Sequence, residues 1–124
     1  MSTALHDVAS AALVAAAVYP DTKSSTVTGS AIDMVTADGP CFAIQQVGEF
    51  DADSLAGAIE ESADGSTGWA AIDGAEFADV TALDNVQVIT FRRSARYLRY
   101  VGTITGGSPS IDVAVLIGEQ RKTL

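Results

Sequence analysis

Hydrophobic and polar positions alternate most regularly in the last third of the chain. Ile111, Val113, Val115 and Ile117 recur at every second residue, which puts them on one face of a strand. Val86–Phe91 and Tyr97–Ile104 read as two further strands, and Gly106-Gly107-Ser108-Pro109 reads as the turn of a hairpin that joins the second to the third. Alternation in Tyr97–Ile104 sends Tyr97, Arg99, Val101 and Thr103 to one side and Leu98, Tyr100 and Ile104 to the other. Upstream, Thr26–Met34 is rich in β-branched residues. Asp38-Gly39-Pro40 predicts a turn, Phe42–Val47 a strand that is apolar on both faces in its first half, and Leu55–Glu60 a strand. Turn formers at 63–68, a short strand at Trp69–Ile72, and turns at Asp73-Gly74 and Asp84-Asn85 follow. Short strands separated by frequent turn clusters predict an all-β fold, an antiparallel β-sandwich of jelly-roll-like type.

The beginning of the chain has a different character. Residues 3–19 are Ala-rich and favour helix by propensity, without a polar face, until Pro20-Asp21 ends the run. The expectation is a short helix, or an arm that takes its shape on docking. The chain then divides into an N-terminal arm, residues 1–20, and a β-sandwich domain, residues 21–124.

Composition sharpens this picture. A chain of 124 residues, 48% hydrophobic and 19% charged, folds as one domain. Only 6% is aromatic, so the core has to be built from small and β-branched side chains. The net charge is −9, and its sign is segregated: fourteen of the sixteen acidic residues precede position 91, while six of the seven Lys and Arg follow it. Such a split suits contact between unlike faces of neighbouring copies, and equally suits local pairing of the arginines. The acidic balance argues against nucleic-acid binding, which needs local positive charge. The longest small-apolar stretch, Ala9–Val18, is about half what a membrane helix requires. Asp7 precedes it and no Lys or Arg occurs before Lys23, so it also makes a poor signal peptide; the protein is expected to be made and kept in the cytoplasm until it is used.

No reactive constellation emerges from the titratable residues. His6 is the single histidine, and no Ser is framed as a nucleophile elbow. Cys41 is the single cysteine, too few for an internal disulfide, and reads as a buried inert thiol. One His and one Cys do not close a zinc site. Asp51-Ala52-Asp53 begins like a calcium loop, but Leu55 falls at the third ligand place. The expectation is a non-enzyme with no catalytic residue, no metal and no cofactor.

Two resemblances bear on function. The turn Ser62-Ala-Asp64-Gly65-Ser-Thr-Gly-Trp69 and the strand Ala95-Arg96-Tyr97-Leu98-Arg99-Tyr100-Val101 look like features of discoidin-type carbohydrate-binding sandwiches. That resemblance implies a sugar-stacking platform at Trp69, Tyr97 or Tyr100. A longer resemblance runs from about Leu13 to Lys122. It is carried by Leu13–Pro20, Gly39–Ile44, Ile59–Ser66 with Trp69, Val86–Phe91, Arg96–Val101 and Gly107–Gly118. Through these segments the chain resembles small virion proteins of tailed bacteriophages and gene-transfer agents, of the head decoration or cement type. The resemblance implies a structural protein on the capsid surface that stabilises the shell. Its partners would be the major capsid protein and other copies of itself, as a trimer, with no nucleic acid and no membrane. Leu13, Val14, Val18 and Tyr19 of the arm, with Arg92, Arg93, Arg96 and Arg99, are the expected protein-contact residues. A tail or baseplate component, or a carbohydrate-binding module, is the alternative.

Overall fold

The computed structural model describes residues 12–121. Among these described residues nine strands follow one another: β1 (Ala12–Lys23), β2 (Val27–Thr28), β3 (Ile32–Asp33), β4 (Ala37–Asp51), β5 (Ser54–Ser62), β6 (Ala70–Glu76), β7 (Asn85–Phe91), β8 (Tyr97–Thr105) and β9 (Ser110–Arg121). They form two antiparallel sheets. Sheet A has the order β1-β9-β4-β7, and sheet B the order β2-β8-β5-β6 with β3 also on β8. Taking β2 and β3 as one interrupted strand, this is the connectivity of a jelly roll. The expected all-β sandwich is therefore the fold.

The alternating residues of the C-terminal strand do what their period predicts. Ile111, Val113, Val115 and Ile117 are all buried, facing Leu55, Ile59, Leu98 and Tyr100 of sheet B. Tyr100 is the largest fully buried side chain. It lies over the paired glycines Gly57 and Gly102, and its hydroxyl donates across the sandwich to Gln45 Oε1 on β4. A Cβ at Gly102 would stand 2.7 Å from that hydroxyl, and one at Gly57 would run into both Tyr100 and Gln45. Gly57→Ala is accordingly expected to cost about 1–3 kcal/mol through overpacking. Urea unfolding checks this; a variant as stable as the parent would mean that Tyr100 has room to move.

Three local expectations are corrected, besides the turn at Asp73-Gly74, which is absorbed into β6 with Gly74 at φ 81°. The Ala-rich run is not a helix where it is described. Residues 12–23 are the edge strand β1, and the boundary drawn at residue 20 falls inside it; residues 1–11 lie outside the described residues. Ala exceeds Val in helix propensity by only about half a kcal/mol per residue, less than the pairing with β9 and the burial of Ala17 and Val18 provide. Pro20 sits where the β1 register shifts, between Val18 and Asp21, an edge position that tolerates a missing N–H. Secondly, Asp38-Gly39-Pro40 does not reverse the chain. It is absorbed into β4 as an irregularity between Ala37 and Cys41, with Gly39 at φ 123° against Gln120. Thirdly, Gly106–Pro109 is not a hairpin. β8 pairs with β5 in sheet B, whereas β9 pairs with β1 and β4 in sheet A, so the loop carries the chain from one sheet to the other.

Candidate protein-interaction surface

The outer face of sheet A is built from the residues that alternate with the core. Its register gives three consecutive rows, each crossing β1, β9, β4 and β7 or most of them. Val14, Gly118, Phe42 and Thr90 form one; Ala16, Leu116, Ile44 and Val88 the next; Ala114, Gln46 and Val86 the third. No charged side chain stands in these rows. Val86 is 63% exposed, Val88 61%, Val14 49% and Leu116 40%. Phe42 lies over Gly118, in the space a side chain there would need. Charge returns only beyond the rows: Asp112, which accepts a hydrogen bond from Thr22 Oγ1 at 2.6 Å, lies at one end, and exposed Arg92, with the neutral amide of Gln120, at the other. Four strands at ~4.8 Å and about five residues at ~3.4 Å give the face a flat footprint on the order of 350 Å². The footprint, which includes the polar side chains of Gln46 and Thr90, is the size of the largest patch on a typical single chain, a patch that is often functional.

The expected contact residues divide. Val14 lies on this face, and Tyr19 is exposed at the β1 irregularity. Leu13 and Val18 do not: Leu13 packs against the core and Val18 is buried opposite Val115. Of the four arginines expected to meet a neighbour, three are engaged within the chain. Arg93 Nε donates to Glu119 Oε1 at 2.8 Å, and its terminal nitrogens donate to the carbonyls of Ala95, Met34 and Ala37, each at 2.9 Å. Arg96 forms a two-pronged pair with Asp33 at 2.8 and 2.7 Å. Arg99 pairs with Glu60 at 2.7 Å and lies 4.3 Å over the Trp69 ring. Arg92 is exposed. The local-pairing alternative thus accounts for Arg93, Arg96 and Arg99.

The sugar-stacking residues fare similarly. Tyr100 has no exposed surface, so it cannot stack on a ligand. Trp69 is half-buried, with one ring face taken by Arg99; Tyr97 is half-buried, with Arg96 at 5.2 Å and Gly65 against its ring. The turn before Trp69 is held by its own acid. Asp64 accepts hydrogen bonds from the N–H groups of Ser66 and Thr67 and from the Thr67 hydroxyl, at 2.7–2.9 Å.

Phe42, Ile44, Leu116, Val86 and Val88 escaped the sequence reading as surface residues. The signal was present in Phe42–Val47, apolar in both phases, and in Leu116, out of phase between Val115 and Ile117. Such a run marks a strand covered on both faces, and here the chain itself covers only one.

Among the described residues, no group of three or more His, Cys, Asp or Glu is placed to hold a metal ion. Cys41 is buried, and its burial, with the Glu119 carboxylate nearby, pushes the thiol up to about 12. Three carboxyls are held low. The Thr67 and Ser66 N–H groups lower Asp64 below the usual carboxylate range. The Arg96 hydrogen bond lowers Asp33 to about 2. Burial works to raise Glu61, but hydrogen bonds from Ser94 and Ala95 outweigh it and leave it lowered. Groups lowered on folding contribute stability above their unfolded values, roughly pH 4, and lose it as pH falls through the folded values. The melting temperature is therefore expected to fall steadily below about pH 4, towards pH 2. Thermal melts across that range check it, and a constant melting temperature would contradict it.

No protein-family model matches the chain, and no curated protein matches its sequence.

Proposed function

We propose that this chain is a structural virion protein that decorates and stabilises a phage capsid by laying the outer face of sheet A against the shell. The observation that carries the reading is the continuous charge-free surface of Val14, Ala16, Phe42, Ile44, Leu116, Val86 and Val88. At ~25 cal/mol per Å², covering about 350 Å² contributes on the order of 9 kcal/mol, and lost rigid-body freedom offsets a comparable amount. One contact is then modest. Many copies on a repeating lattice hold firmly, because neighbours raise one another's effective concentration. The resemblance to small tailed-phage virion proteins supports the major capsid protein as the partner and the capsid surface as the location. Jelly rolls serve viral shells and lectins alike, so the fold supports a recognition role without choosing between them. Against sugar binding stand the burial of Tyr100 and the arginine on Trp69.

Quantitative mass spectrometry of purified particles tests the reading. A head protein is present in fixed proportion to the major capsid protein. A tail or baseplate component, which would use the same face, is present at a small fraction of that amount. Particles that carry none of this chain would overturn the proposal.

A further inference from the structure

The sandwich has four outer strand edges, and they are unequally guarded. An unpaired edge is a template for another strand, and proteins blunt it with brevity, proline, charge or irregular register. On sheet B, β2 and β3 have only two residues each, while β6 carries Asp73, Glu76 and Gly74 at φ 81° and a register shift against β5. On sheet A, β1 carries Pro20, Asp21, Lys23 and two register shifts. β7 has none of these devices. Asn85-Val86-Gln87-Val88-Ile89-Thr90-Phe91 holds no charge, no proline and no glycine, and it pairs with β4 over all seven residues without a shift. Among the described residues no strand pairs with its other side. Gln87 closes the adjacent edge of sheet B, accepting from Ala78 N–H at 2.8 Å and donating to the Ala78 carbonyl at 2.9 Å. Among the described residues no backbone hydrogen bond reaches the outward side of β7 itself.

We propose that β7 pairs antiparallel with β7 of a second copy across a two-fold axis, joining two copies of sheet A into one eight-stranded sheet. A second copy fits this edge because the edge is self-complementary. A two-fold axis at Val88 sets Val88 against Val88 and Val86 against Thr90, β-branched pairs that pack well across strands. Two chains of net charge −9 repel one another, and a contact free of charge avoids concentrating that repulsion. The pairing also continues the apolar outer face across the joint. Seven residues make an edge about 24 Å long, which buries well under the ~800 Å² per partner of a standard interface. The dimer is therefore concentration-dependent, and becomes durable where copies are held side by side. The contact closes at two copies, so it does not build the trimer expected from sequence. It is independent of what covers the outer face.

Sedimentation of the full chain from about 10 μM to about 1 mM reads the mass, and hydrogen exchange by NMR at both extremes reads the β7 amides. The mass is expected to rise from 12.7 kDa towards twice that value. Amides of Asn85–Phe91 that exchange fast in dilute protein are expected to slow roughly tenfold when concentrated. Val88→Glu is expected to stay monomeric, while Leu116→Glu, two strands away on the same face, dimerises like the parent. A chain monomeric throughout, a trimer, a dimer whose β7 amides stay fast, or a dimer abolished by Leu116→Glu each overturns the proposal.

Discussion

Arg93→Ala is expected to lower stability by about 3–5 kcal/mol, the usual cost of removing one partner from a buried ion pair. The side chain is a knot between distant parts of the chain. Its guanidinium meets Glu119 on β9, the Ala95 carbonyl in the β7–β8 loop, the Met34 carbonyl before β4 and the Ala37 carbonyl at the start of β4. The Glu119 side chain is 2% exposed, so the truncation leaves a carboxylate away from water without its cation, and three carbonyls without these donors. Against a typical total of about 5–15 kcal/mol, that is a large share. At roughly 4 °C per kcal/mol for a domain of this size, the melting temperature is expected to fall by about 12–20 °C. Arg93→Lys restores only part of the loss, because an ammonium is a point charge and does not reach four acceptors at once. Thermal and urea unfolding of the two variants check this. A loss below about 1 kcal/mol for the alanine variant would show that Glu119 finds another partner.

Arg93 also shows where sequence reading stops. Charge segregation is visible in the chain, but the partners are not: Glu119, Asp33 and Glu60 lie 26, 63 and 39 residues from Arg93, Arg96 and Arg99. Only the closed sandwich brings them together. The β class was legible because period-two burial is a local property, and Ile111, Val113, Val115 and Ile117 obey it. Pairing was less legible. The same alternation fits β8 and β9 as a hairpin or as strands of opposite sheets, and Gly106–Pro109 suits either. β1 was hidden by composition, since Ala propensity favours helix until β9 offers a partner. The outer face was hidden by type. Val86 and Val88 are β-branched residues that usually point inward, yet here Gln87, Ile89 and Phe91 take the inner side of β7.

Leu116→Glu is the second large effect. Leu116 is exposed at the centre of the outer face, between Ala16 and Ile44, so the folded chain is expected to keep its stability within about 0.5 kcal/mol. On the proposed docking through sheet A, attachment to the shell is expected to weaken by about a hundredfold or more, because a carboxylate buried without a partner costs several kcal/mol, and each 1.4 kcal/mol is a factor of about ten. Leu116→Met keeps the surface apolar and is expected to bind like the parent. Competition between variant and parent for undecorated particles reads the ratio directly. Equal occupancy by the glutamate variant would place the contact elsewhere on the molecule.

Electron cryo-microscopy of particles carrying the protein is the most direct measurement. With sheet A as the docking face, Ile44, Leu116 and Val88 lie within about 4.5 Å of shell atoms, while Arg99 on β8 and Trp69 just before β6 lie on the side away from the shell. A density map with sheet B against the shell, and the valines of β7 in open water, contradicts the account.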